Sequence, residues 1–157
     1  MKLYRFSPIN NEKSLWEAID YIAKESLRLS KKIINITFPI SYITVFSHYE
    51  EEYLGLLKIW NNLWISSETN NWVKISLFKE IDLYNSIIKN IRIRKPDPYR
   101  TQVWCNDFKI ADYYNFKNNY LGNKNLRLII RDNYEMIEFF HPDFDVLSYV
   151  VSIDFSK

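Results

Sequence analysis

The chain has 157 residues, enough to bury the core of one domain, and 21 cationic residues nearly balance 19 anionic ones, so bulk-charge coating of nucleic acid is excluded. Cys105 is the only cysteine, which excludes an intrachain disulfide and a zinc site built from several thiolates and suits a reducing, cytoplasmic compartment. Residues 1–8 lack the apolar core of a secretory signal and no apolar run reaches the roughly 20 residues that cross a bilayer, so no membrane association is expected.

The first predicted element is a short strand near residues 3–6, broken by Pro8 and the Asn10-Asn11 pair. An amphipathic helix follows to about Leu29, with Leu15, Ile19, Ile22, Ala23 and Ser26 at helical spacing, and Ser14 with Glu17 forms a capping box. Residues 33–38 and 42–47, rich in branched and aromatic side chains and separated by Pro39, read as two strands. A second helix spans residues 49–64, with Tyr53, Leu56, Leu57, Trp60 and Trp64 on one face and three glutamates in its first turn, where the helix dipole favours anions.

After a polar loop at residues 66–71, Val73, Ile75 and Leu77 alternate with Lys74 and Ser76, the period of a half-buried strand. Ile91 and Ile93 repeat that alternation, which puts Arg92 and Arg94 together with Asn90 on the opposite, wet face. A strand at residues 102–110 and a short helix at 112–120 come next. A hairpin then turns at Asp132-Asn133 and pairs Arg127 with Glu138 and Leu128 with Ile137. Residues 146–151 form a last buried strand, and no internal repeat is seen. These elements predict a single compact α+β domain over residues 1–157: a mostly antiparallel sheet covered by two main helices and a shorter third.

Two groups of residues carry possible chemistry. Arg92, Arg94, Lys95 and Arg100 crowd a segment held extended by Pro96 and Pro98, and Tyr99 adds a stacking ring; arginine forks suit carboxylates and phosphates alike. Asp97 is placed to neutralise Arg94 or Arg100 within a structural turn. The two histidines are each followed by carboxylates at +2 and +4, as His48-Glu50-Glu52 and His141-Asp143-Asp145, and in an extended chain such triplets point one way and suit a divalent metal such as manganese or magnesium. Against that, the first triplet opens a helix and the second surrounds the turn at Pro142.

The leading functional reading is a small non-catalytic interaction or regulatory protein, free of cofactor, that grips the acidic surface of a protein partner through Arg92, Arg94, Lys95, Tyr99 and Arg100. One alternative is a metal-dependent phosphoester hydrolase in which both histidine triplets converge on one ion. Another is binding of single-stranded nucleic acid by the same arginines and rings.

Overall fold

The computed structural model describes residues 5–59, 64–69, 71–97, 99 and 104–153, with side chains omitted at 64–67. Its elements in chain order are α1 (Glu12–Ile34), β1 (Ile40–Phe46), α2 (Glu50–Ile59), β2 (Trp64–Glu68), β3 (Trp72–Leu83), β4 (Ser86–Arg94), β5 (Trp104–Phe108), α3 (Tyr113–Tyr120), β6 (Leu126–Ile130), β7 (Glu135–Phe139) and β8 (Val146–Val151). The eight strands form one sheet in the order β2-β3-β4-β1-β5-β8-β7-β6. β1 runs parallel to β4 and β5 parallel to β8, and every other neighbouring pair is antiparallel, so the expected α+β architecture with a mostly antiparallel sheet holds.

The strand order contains a repetition that the sequence conceals. Residues 40–94 and 104–151 each run strand, helix, strand, strand, strand, and in each half the last strand returns to lie parallel to the first. The two first strands, β1 and β5, then pair antiparallel at the centre and join the halves about an approximate twofold axis. The absence of a repeat is thus corrected at the level of topology. The halves share connectivity but not dimensions: β3 and β4 are 12 and 9 residues long, whereas their counterparts β7 and β8 are 5 and 6.

α1 starts where Asn11 caps it, its side chain accepting from the Ser14 amide at 2.9 Å while Ser14 Oγ accepts from the Asn11 amide at 3.4 Å, so the partner in the box is Ser14 and not Glu17. The helix runs past Leu29 to Ile34 and ends at Asn35, whose φ of 58° is left-handed and whose amide bonds the Lys31 carbonyl at 3.0 Å. The strand expected at residues 33–38 is therefore the end of this helix and a connection. Ile33 and Ile34 pack on the core from the helical stripe, so their branching marks burial and not extended backbone.

Three other boundaries move. α2 stops at Ile59, Trp60 lies outside the described residues, and Trp64 opens β2 instead of closing a helix face. β2 occupies the first half of the segment expected to be a polar loop. Residues 5 and 6 form a turn, with Phe6 at φ 64°, and the rest of the strand expected at 3–6 lies outside the described residues. β3 and β4 meet at Tyr84 and Asn85, both at positive φ (52° and 63°), the geometry of a two-residue hairpin turn. The β6–β7 hairpin pairs Arg127 with Glu138 and Leu128 with Ile137, in the expected register.

Alternation along the strands sorts the two faces of the sheet. On one face Ile43, Val45, Ile91, Ile93, Ile137 and Val150, each fully buried, join Leu15, Ile19 and Ile22 of α1 in the main core. α1 lies across β1, β5, β7 and β8, and α2 against β4. The other face carries a separate small cluster of Phe46, Cys105, Leu147 and Tyr149. Among the described residues no helix is long and apolar enough to cross a membrane.

Candidate ligand-binding cavity

Register fixes what the second face presents. Thr44 lies opposite both Arg92 and Cys105, Phe46 opposite Arg94, Tyr42 opposite Asp107, and Asp107 opposite Tyr149. On the flanking strands Trp72 lies opposite Arg94, and Glu138 opposite Tyr149. A cavity of about 330 Å³ opens over this face, reaching from Trp72 on β3 to Met136 on β7 and to Arg131 and Tyr134 beside the β6–β7 turn. Five strand spacings separate β3 from β7, roughly 24 Å in a flat sheet. One cavity of that size touches both flanks only because the sheet curls, and the face is concave.

The floor of the cavity is a buried ion pair. Arg92 Nη1 donates to Asp107 Oδ2 at 2.6 Å, and the guanidinium lies 4.0 Å from the Tyr42 ring centroid and 4.9 Å from that of Trp72. Arg92 is only 8% exposed, so its desolvation is offset by a charge-assisted bond on one side and π faces on the others. Arg94 stands nearer the opening, 3.0 Å from Asp97 and 5.1 Å from the Phe46 ring. Arg131 is exposed, lines the same cavity and has no ion-pair partner among the described residues. Beside them Tyr149 donates to Glu138 at 2.9 Å, and Arg127 also reaches Glu138, so that buried carboxylate is neutralised. The lining thus holds three arginines against one carboxylate, Asp107. Cys105 lies on the same face with its thiol pushed up to about 12, first by burial and then by the Asp107 charge, so at neutral pH it is a neutral thiol and not a nucleophile.

The residues singled out in the sequence separate accordingly. Arg92 and Arg94 share a face, as their alternation requires, but that face is the inside of the curl and not a wet exterior. Lys95 points elsewhere and pairs with Glu68 at 2.9 Å. Tyr99 is 94% exposed, with its amide donating to Asp97 at 3.2 Å, and Arg100 lies outside the described residues. The sequence reading missed Arg131, Trp72, Tyr134 and Tyr149, which come from both halves; the only available signal was the alternation of β3 and β8, which ranks no residue above its neighbours.

The histidine triplets do not converge. Glu52, buried at the start of α2, accepts from the amides of His48 (2.8 Å) and Ile9 (3.0 Å) and from the Ser7 hydroxyl, which fastens the segment before α1. Asp145 accepts from Arg5 and from the Tyr21 hydroxyl, both at 2.8 Å, and Tyr21 is held well above its ordinary pKa by burial and by that bond. His141 Nδ1 accepts from the Asp143 amide at 3.2 Å. The strands that precede the two histidines, β1 and β7, are three spacings apart, roughly 14 Å. Among the described residues no three His, Cys, Asp or Glu side chains are grouped to hold a metal ion.

No protein-family model and no curated protein sequence matches the chain. Solved structures do. The structural-genomics protein EC4020 superposes with a TM-score of 0.70 at 11% identity, over 99% of this chain and 95% of its own. A glyoxalase/bleomycin resistance protein/dioxygenase superfamily member from Vibrio splendidus 12B01 superposes with a TM-score of 0.51 at 7% identity, over 73% of this chain and 98% of its own. At these identities the likeness is one of fold. The reading of a non-catalytic regulator with a displayed basic patch is corrected: the fold is shared with a member of the glyoxalase/bleomycin resistance protein/dioxygenase superfamily, and Arg92 and Arg94 line the concave cavity of the sheet, with Arg92 buried.

Proposed function

We propose that the protein binds a small organic anion in the concave cavity of its sheet. The observation that carries this reading is the state of the three arginines in the lining: Arg92 is paired with Asp107 and Arg94 with Asp97, while Arg131 has no ionic partner among the described residues. Arg92 is committed to Asp107 and serves as a fixed floor. Arg94 and Arg131 supply the donors for a carboxylate or phosphate, which a guanidinium fork binds in a bidentate manner. The rings of Trp72 and Tyr134 take the flat or apolar body of the ligand. The lone cysteine, Cys105, supports a cytoplasmic location, where it stays reduced.

Calorimetric titration with benzoate and phenyl phosphate tests the proposal. Binding is expected to weaken about tenfold or more in Arg131→Met, the loss of one charge-assisted hydrogen bond. Absence of heat with every aromatic anion, or binding unaffected by both Arg131→Met and Arg94→Met, would overturn it.

A further inference from the structure

A second cavity, about 260 Å³, adjoins the first. The two share Asp107 and Val151 in their walls and succeed one another along the strands. On β1 the first cavity takes Thr44 and Phe46 and the second Ser41; on β5 the first takes Cys105, and the second continues past Asp107 to Lys109. From Cys105 to Lys109 is roughly 14 Å of extended chain.

The second cavity has its own polar chemistry. Lys109 lines it, is exposed, and has no ion-pair partner among the described residues. The Tyr113 ring also lines it; its hydroxyl, on a side chain 7% exposed, is turned to the Glu135 carboxylate, and burial and that carboxylate keep it protonated. The only carboxylate in this lining is Asp107, already paired with Arg92. Nothing in the fold requires an ammonium here.

Building on the anion-binding reading of the first cavity, we infer that the two cavities form one trough for an elongated, two-headed anion. One anionic group sits between Arg94 and Arg131, the chain of the ligand crosses the Arg92–Asp107 pair, and the second anionic group meets Lys109.

The test uses the full chain and α,ω-dicarboxylates from succinate to dodecanedioate, each compared calorimetrically with the monocarboxylate of equal carbon number. The expected result is a dicarboxylate optimum among the longer members, at least tenfold tighter than its monocarboxylate. Lys109→Met should reduce that optimum to the monocarboxylate level without altering monocarboxylate binding, because Lys109 lies outside the first cavity. Equal binding of both series, lost together in Arg131→Met, overturns the second subsite and leaves the first standing. A dicarboxylate preference that survives Lys109→Met also overturns it. Failure of both series to bind overturns the second subsite, and the benzoate titration then decides the first.

Discussion

The two faces of the central strands are built from neighbouring residues of the same chain and obey opposite rules. Ile43 and Val45 face α1 in a dry core, while Tyr42, Thr44 and Phe46 between and beside them face the concave cavity. The same split divides Ile91 and Ile93 from Arg92 and Arg94. The helix-covered face is held by area and packing, so its residues are interchangeable within limits of volume. The concave face is held by specific pairs, Arg92 with Asp107 and Glu138 with Tyr149, so each polar group there depends on a particular partner. Stability and ligand recognition therefore separate by parity along a strand, and single substitutions can address them one at a time.

The largest effect should come from breaking the buried pair. Asp107→Ala strands the Arg92 charge and is expected to cost about 3–5 kcal/mol in urea unfolding, whereas the double variant Arg92→Met with Asp107→Leu should recover most of it. If the single variant is near neutral, the concave floor is wetter than its burial implies. Ile93→Ala, on the other face, should cost about 2–5 kcal/mol through lost contact and residual cavity, and leave anion affinity unchanged. A loss of affinity there would couple faces that this account keeps separate.

A smaller effect concerns pH. Cys105 ionises near 9 in the unfolded chain and only near 12 in the fold. The folded state thus retains a proton that the unfolded state loses, and its contribution to stability is complete below about pH 9 and declines as pH rises toward 12. Between pH 8.5 and 10.5 the wild type should lose stability more steeply than Cys105→Ala, as read from urea midpoints; parallel slopes would show the thiol to be solvated. The smallest stability effect is expected for Arg131→Met, within about 0.5 kcal/mol, since the side chain is exposed and makes no ion pair among the described residues. That variant isolates recognition from folding.

Much of the local structure was legible because its causes are local. The runs at residues 73–77, 125–131 and 134–140 gave strands, the last two each longer than the observed strand at both ends, and the Asp132-Asn133 turn fixed the pairing of Arg127 with Glu138. Parity also placed Arg92 and Arg94 on one face. Which face is wet was not legible, because it depends on α1 crossing β1, β5, β7 and β8 from far along the chain. Arg131 could not be grouped with Arg94 in advance: they belong to different halves, brought together only by the β1–β5 pairing and the curl. The β3–β4 turn escaped notice because Tyr84 carries none of the usual turn chemistry, although Asn85 does. The histidine triplets misled for a related reason, since spacing in sequence says nothing of the three strand spacings between β1 and β7.

The most direct measurement is a crystal of the full chain soaked with para-iodobenzoate, with the iodine located by its anomalous signal. The account predicts a peak inside the concave cavity, with the carboxylate on Arg131 and Arg94 and the ring against Trp72 or Tyr134. Iodine bound only on the helix-covered side or at the outer surface, with the cavity empty, would contradict it.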